Sequence, residues 1–173
     1  MRAHVAAQIA TYAPIMPRDY AATRHAEAPA AAKALETELT EMHAVLAGGH
    51  EPFRRHWVAE RGLAEHTRII GIACAGTGPN WWEAGFDPPP ADVTFMLDRL
   101  YVLPAEHGTG AGQALFDVAV GARSAYLWIL RNNPRAERFY RRNGFVPDGS
   151  VGPAGGPWLG RPMFRMIRRL PIA

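Results

Sequence analysis

Leu97-Asp98-Arg99-Leu100-Tyr101-Val102-Leu103-Pro104-Ala105-Glu106-His107-Gly108-Thr109-Gly110-Ala111-Gly112-Gln113 is the stretch from which the fold is read. Its first half is β-rich and short, as a buried strand is, and Pro104 stops it. Three glycines then let the backbone approach a ligand closely. The helix that follows would offer its unpaired first amides to an anion, with the dipole assisting. A pyrophosphate suits such a cradle. Two better-known phosphate loops fail on spacing: Gln113-Ala114 stands where Walker A needs Lys-Ser/Thr, and the evenly spaced Gly108, Gly110 and Gly112 miss the dinucleotide fingerprint. Taken alone, the loop also fits a plain tight turn.

Outward from this stretch, Thr94–Leu103 reads as a strand and Gly110–Val120 as the helix that follows it. Ala125–Leu130 is a further strand, and Pro134 suits the first turn of a helix that Asn143-Gly144 closes near Arg142. Phe145-Val146 and Pro162–Leu170 supply two strands, with the Gly- and Pro-rich 147–160 between them read as a loop. Upstream, His56–Glu60 and Thr67–Ala75 form an antiparallel hairpin, and Gly76–Pro90 is a loop holding Trp81-Trp82 and three consecutive prolines. Two helices open the chain: 4–13, broken by Pro14 and Pro17, and 29–47, ended by Gly48-Gly49. The order predicts one α/β domain over 1–173, a mixed sheet flanked by helices.

The 173 residues are 48% apolar, enough for a real core. The single cysteine, Cys74, excludes an internal disulfide and a cysteine-based zinc cluster, so a reducing cytoplasm and no metal are expected. No apolar run reaches the ~20 residues of a membrane span. The net charge of +3 is carried by arginine, with Lys33 the only lysine, and the arginines cluster at 131–142 and 161–169. They are not interleaved with stacking aromatics, so nucleic acid is not the expected partner.

A second signal is Asn133-Pro134-Arg135-Ala136-Glu137-Arg138-Phe139-Tyr140-Arg141-Arg142-Asn143-Gly144-Phe145. Asn133 and Tyr140 are separated by about two helical turns and share a face. Singly, they read as an N-cap and a core aromatic. Together with the glycine loop, this segment resembles the cofactor-binding half of the GNAT N-acetyltransferase superfamily, closely over 94–146 and elsewhere by element order. The resemblance implies a central, mostly antiparallel sheet with a splayed strand pair and helices on both faces. It implies acetyl-CoA as cosubstrate, the backbone of Tyr101 and Val102 on the pantetheine arm, and His107, Gly108, Thr109, Gly110, Ala111, Gly112 and Gln113 around the phosphates. His107 stands where the family usually has Arg or Gln. Asn133 and Tyr140 match the family's Asn and its Tyr beside the thioester sulfur. The family's usual first strand has no counterpart ahead of His4; its absence would leave a sheet edge open, for which a misassigned start, a trimmed chain or a covering partner, a second copy included, would each account.

For direct attack of a primary amine on the thioester, Tyr140 is the expected proton donor to the leaving thiolate. Asp98 is the best acidic candidate for the base, with Glu83 and Glu106 behind it. By family topology Tyr12–Tyr20 and Trp81-Trp82-Glu83 line the site of the acceptor, a small molecule or a peptide. A non-catalytic acyl-CoA sensor on the same fold is the alternative reading.

Overall fold

The computed structural model describes residues 2–50, 53–62, 66–87, 92–155, 158 and 160–171. The prolines at 88–90 lie outside them. Helix α1 spans Arg2–Tyr12 and helix α2 Tyr20–Ala47, with a short 3-10 turn, Ala13–Ile15, between. Strands β1 (Arg54–Arg61), β2 (Arg68–Thr77) and β3 (Phe95–Val102) follow, then α3 (Ala111–Ala119), β4 (Ala125–Leu130), α4 (Pro134–Arg142), β5 (Val146–Pro153) and β6 (Pro162–Arg168). The six strands make one mostly antiparallel sheet in the order β1-β2-β3-β4-β6-β5. Strands β3 and β4 run parallel, with Met96 opposite Tyr126, whereas β1–β2, β4–β6 and β5–β6 are antiparallel.

Two elements depart from the sequence reading. Helix α2 begins at Tyr20, nine residues before the expected 29, and carries Pro29 inside it. An interior proline removes one backbone bond at about 3 kcal/mol, which is why it reads as a boundary. The stretch read as a loop from 147 onward is strand β5 as far as Pro153. That strand ends the sheet order. An edge position leaves one row of amides unneeded and so accepts its prolines and glycines.

The chain forms two compact units. The first holds Met1–Gly76 and Arg99–Gly121, the second Thr77–Asp98 and Ala122–Ala173. In the first, α3 buries Leu115, Phe116 and Ala119, while β2 contributes Ile70, Ala73, Cys74 and Ala75 to the interior. In the second, Val93, Met96, Tyr126 and Ile167 make a dry cluster against which Trp82 and Trp128 pack. Burying such side chains contributes roughly 1.5–3 kcal/mol each.

The arginine cluster of β6 is part of that second interior. Arg165 and Arg168 are buried. Arg165 bonds Asp148, Ser150 Oγ and the Asp87 carbonyl. Arg168 donates to the carbonyls of Arg123 and Asn143 and lies over the Phe145 ring. These bonds tie the two guanidinium groups into the interior of the second unit.

Candidate active site

In the first unit, β3 ends at Val102 and the Leu103 amide donates to the Ile70 carbonyl, anchoring the strand end on β2. Pro104–Glu106 forms a 3-10 turn. The His107 ring turns back, with Nε2 at 3.0 Å from the Val102 carbonyl oxygen. Thr109 Oγ1 donates to the Glu106 carbonyl at 2.8 Å, tying the loop to the turn. Glu106 itself is buried between Arg68 at 3.1 Å and Arg61 at 2.7 Å, the latter outside hydrogen-bond alignment. Glu106, the third acidic candidate, thus clamps the turn to β1 and β2.

The glycine loop has the backbone that the sequence required. Gly108 and Gly110 have φ of 83° and 91°, in the left-handed region that favours glycine, and the space where their Cβ atoms would stand is open. Gly110 is the N-cap of α3 and offers no side-chain cap. The first-turn amides at Ala111, Gly112 and Gln113 have no acceptor within the helix. Gln113 directs its side chain to Asp117 at 2.8 Å, away from the role of cap. An open, positively polarised helix start remains, suited to phosphate oxygens.

Beside it on β3, Tyr101 is buried, and the ring of Tyr12 meets it edge-on with centroids 6.1 Å apart. Tyr20, at the start of α2, is also buried, and among the described residues its hydroxyl has no hydrogen-bond partner. Burial pushes its pKa up to about 12, the neighbouring Tyr101 adds to the shift, and Arg24 opposes it. The sequence placed Tyr12–Tyr20 at the acceptor site as a loop. The structure instead divides it between a 3-10 turn and the head of α2.

In the second unit, Asp98 on β3 is half-buried and accepts 2.6 Å from Asn80 Nδ2. The Asn80 amide donates to Glu83 Oε1 at 2.6 Å, and Asn80 and Glu83 close a reciprocal capping box around the 3-10 turn Trp81–Glu83. Glu83 is 4% exposed and also receives Tyr126 OH at 3.2 Å and Trp128 Nε1 at 2.8 Å. Sequence reasoning named both carboxylates but missed Asn80, the residue that bridges them. Its only local signal was the Asn-x-x-Glu spacing of a cap. Trp81 projects from the same turn and is 87% exposed, whereas Trp82 packs edge-on to Phe86 and Trp128.

Asn133 and Tyr140 also belong to the second unit. Asn133 is the N-cap of α4, its Oδ1 accepting from the Ala136 amide at 3.2 Å. Tyr140 is buried, with its ring edge-on to those of Phe139 and Phe145. The structure therefore groups Tyr101, Val102 and His107 to Gln113 in one unit, and Asp98, Asn133 and Tyr140 in the other.

The family model of the acetyltransferase (GNAT) domain matches residues 52–147, more than half of the chain. The chain belongs to the GNAT acetyltransferase family. Over 65 residues it is 40% identical to uncharacterised N-acetyltransferases of Mycobacterium bovis and Mycobacterium tuberculosis, a match covering 34% of this chain and 42% of theirs. The match thus spans less than half the length of those relatives. Among solved structures, a PaiA N-acetyltransferase of Thermoplasma acidophilum in complex with coenzyme A superposes with a TM-score of 0.64 at 18% identity, covering 98% of this chain and 89% of that one. An Arabidopsis thaliana NAA60 structure with a bisubstrate analogue gives 0.52 at 16% identity, over 69% of this chain and 77% of that one. At such identities the likeness is one of fold.

Proposed function

We propose that this chain is an acetyl-CoA-dependent N-acetyltransferase that moves an acetyl group by direct attack of a primary amine, on a small molecule or a peptide, upon the thioester. The observation that carries the reading is the uncapped start of α3 behind Gly108 and Gly110, an anion cradle in a chain of this family. The amides from His107 to Gln113 hold the pyrophosphate, and Asn133 and the backbone of Tyr101 and Val102 bind the pantetheine arm. Amides at that strand end also stabilise the oxyanion formed when the nitrogen attacks.

The amine must lose a proton and the departing thiolate must gain one. Asp98 accepts the first, its carboxylate oriented by Asn80. Tyr140 donates the second from its phenol as the carbon–sulfur bond breaks. Trp81, exposed beside this network, receives the cationic acceptor on its face.

Calorimetric titration with acetyl-CoA, followed by thiol release over a panel of amines and peptides, tests the reading. Binding with release on an acceptor supports it. Binding without release on any acceptor favours an acyl-CoA sensor, and no binding overturns the cradle. Tyr140→Phe is expected to lower kcat by about 10²- to 10³-fold with little change in acetyl-CoA affinity. Asp98→Asn is expected to remove the acidic limb of the kcat/KM profile. An unchanged rate or profile removes the corresponding role.

A further inference from the structure

Outside the acetyl-transfer machinery, the first unit brings three chemically different metal donors together. His56 on β1 stands directly opposite Cys74 on β2 in the antiparallel register, so the two side chains share a face of the sheet. Glu38, from α2, reaches the same point. Its Oε1 lies 3.1 Å from His56 Nε2, and Cys74 Sγ lies 3.8 Å from that same nitrogen. All three ligand atoms fall within 4.8 Å of one another.

The convergence on a single ring nitrogen is the informative feature. A histidine linking two partners by hydrogen bonds addresses them with its two different nitrogens, and one Nε2 cannot serve a carboxylate and a thiol equally well. A carboxylate, an imidazole and a thiol gathered within 4.8 Å are a donor set that a shared cation would join. For tetrahedral zinc with Zn–N and Zn–O near 2.0 Å and Zn–S near 2.3 Å, the edges come to about 3.3 Å for N···O and about 3.6 Å for N···S. The observed 3.1 and 3.8 Å differ from these by a few tenths of an ångström.

We infer that Glu38, His56 and Cys74 form a mononuclear Zn²⁺ site, with water as fourth ligand, that fastens helix α2 to the β1–β2 hairpin. On binding, Zn²⁺ replaces the thiol proton of Cys74, which leaves to solvent, and neutral His56 coordinates through Nε2. The second oxygen of Glu38 lies 3.7 Å from Arg99 Nη1, so the guanidinium orients the carboxylate while Oε1 faces the metal. Cys74 is buried and Glu38 is about a third exposed, so the ion enters from the Glu38 side. No local pattern marks the site, because its donors are widely separated along the chain and fit no zinc-ligand spacing.

The test is a Co²⁺ titration of the chelator-treated full chain. One equivalent is expected to raise a thiolate-to-cobalt charge-transfer band in the near ultraviolet, with the intense visible absorption of four-coordinate cobalt, and one equivalent of Zn²⁺ to bleach both. Cys74→Ser should abolish the charge-transfer band, and Glu38→Gln should weaken Co²⁺ binding at least about tenfold. Far-ultraviolet dichroism confirms that each variant is folded, and the unmodified chain decides the matter even if one is not. Absence of the band at excess Co²⁺, or a band that survives Cys74→Ser, overturns the inference.

Discussion

Glu83 and Glu106 are equally buried, at 4% exposure, yet they are held in opposite ways. Glu106, in the first unit, faces two arginines whose side chains are more than half exposed. Its charge is cancelled on the spot by groups that can turn to water. Glu83, in the second unit, is held by a phenol, an indole and a backbone amide, and among the described residues no cation lies within ion-pair distance of it. Three neutral donors satisfy its oxygens without cancelling its charge. A clamp needs the first arrangement; the second satisfies the carboxylate by hydrogen bonds alone.

The largest expected effect breaks the comparison at Glu83. Glu83→Ala leaves the Asn80 amide, Tyr126 and Trp128 without their acceptor, and a loss of about 3–5 kcal/mol in denaturant unfolding is expected. Glu106→Ala should cost only about 1–2 kcal/mol, because Arg61 and Arg68 can rehydrate. Equal losses would show that the two carboxylates are held alike. On the acceptor side, Trp81→Ala should weaken a cationic acceptor by about 0.5–1 kcal/mol, read as a raised KM at unchanged acetyl-CoA affinity. An unaltered KM would remove Trp81 from acceptor binding.

The smallest effect concerns a buried acid kept neutral. Tyr20 has its pKa raised from 10.0 to about 12. The folded state thus holds the phenolic proton more tightly than the unfolded chain, so this contribution is complete below pH 10 and is lost as pH rises toward 12. Tyr20→Phe should flatten that part of the alkaline decline while leaving stability at neutral pH little changed. A wild-type curve superimposable on the variant's would show that Tyr20 ionises without penalty.

The elements with sharp punctuation were legible in the sequence. Strand β4 and helix α4 begin and end where the apolar run, Pro134 and Asn143-Gly144 placed them. The start of α2 was not, because Tyr20 and Arg24 are its only buried residues and an alanine-rich exposed face carries no stripe to read. The conformation of the glycine loop was legible because three closely spaced glycines mark a backbone that enters the left-handed region, as Gly108 and Gly110 do. The polar network of the second unit was hidden: Tyr126 and Trp128 reach Glu83 from more than forty residues away. Gly78 is part of the same network in a way that no local pattern shows, since a Cβ there would collide with the Tyr126 hydroxyl.

The interleaving of the two units bears on how the chain is made. Neither unit is a continuous stretch, and the chain passes between them after Gly76, Asp98 and Gly121. Synthesis therefore lays down Val93 and Met96 before Tyr126 and Ile167, the residues that cover them, have left the ribosome. A nascent chain paused near Gly121 carries every residue of the first unit together with an unfinished, apolar piece of the second. Such a chain keeps apolar segments uncovered until translation is complete.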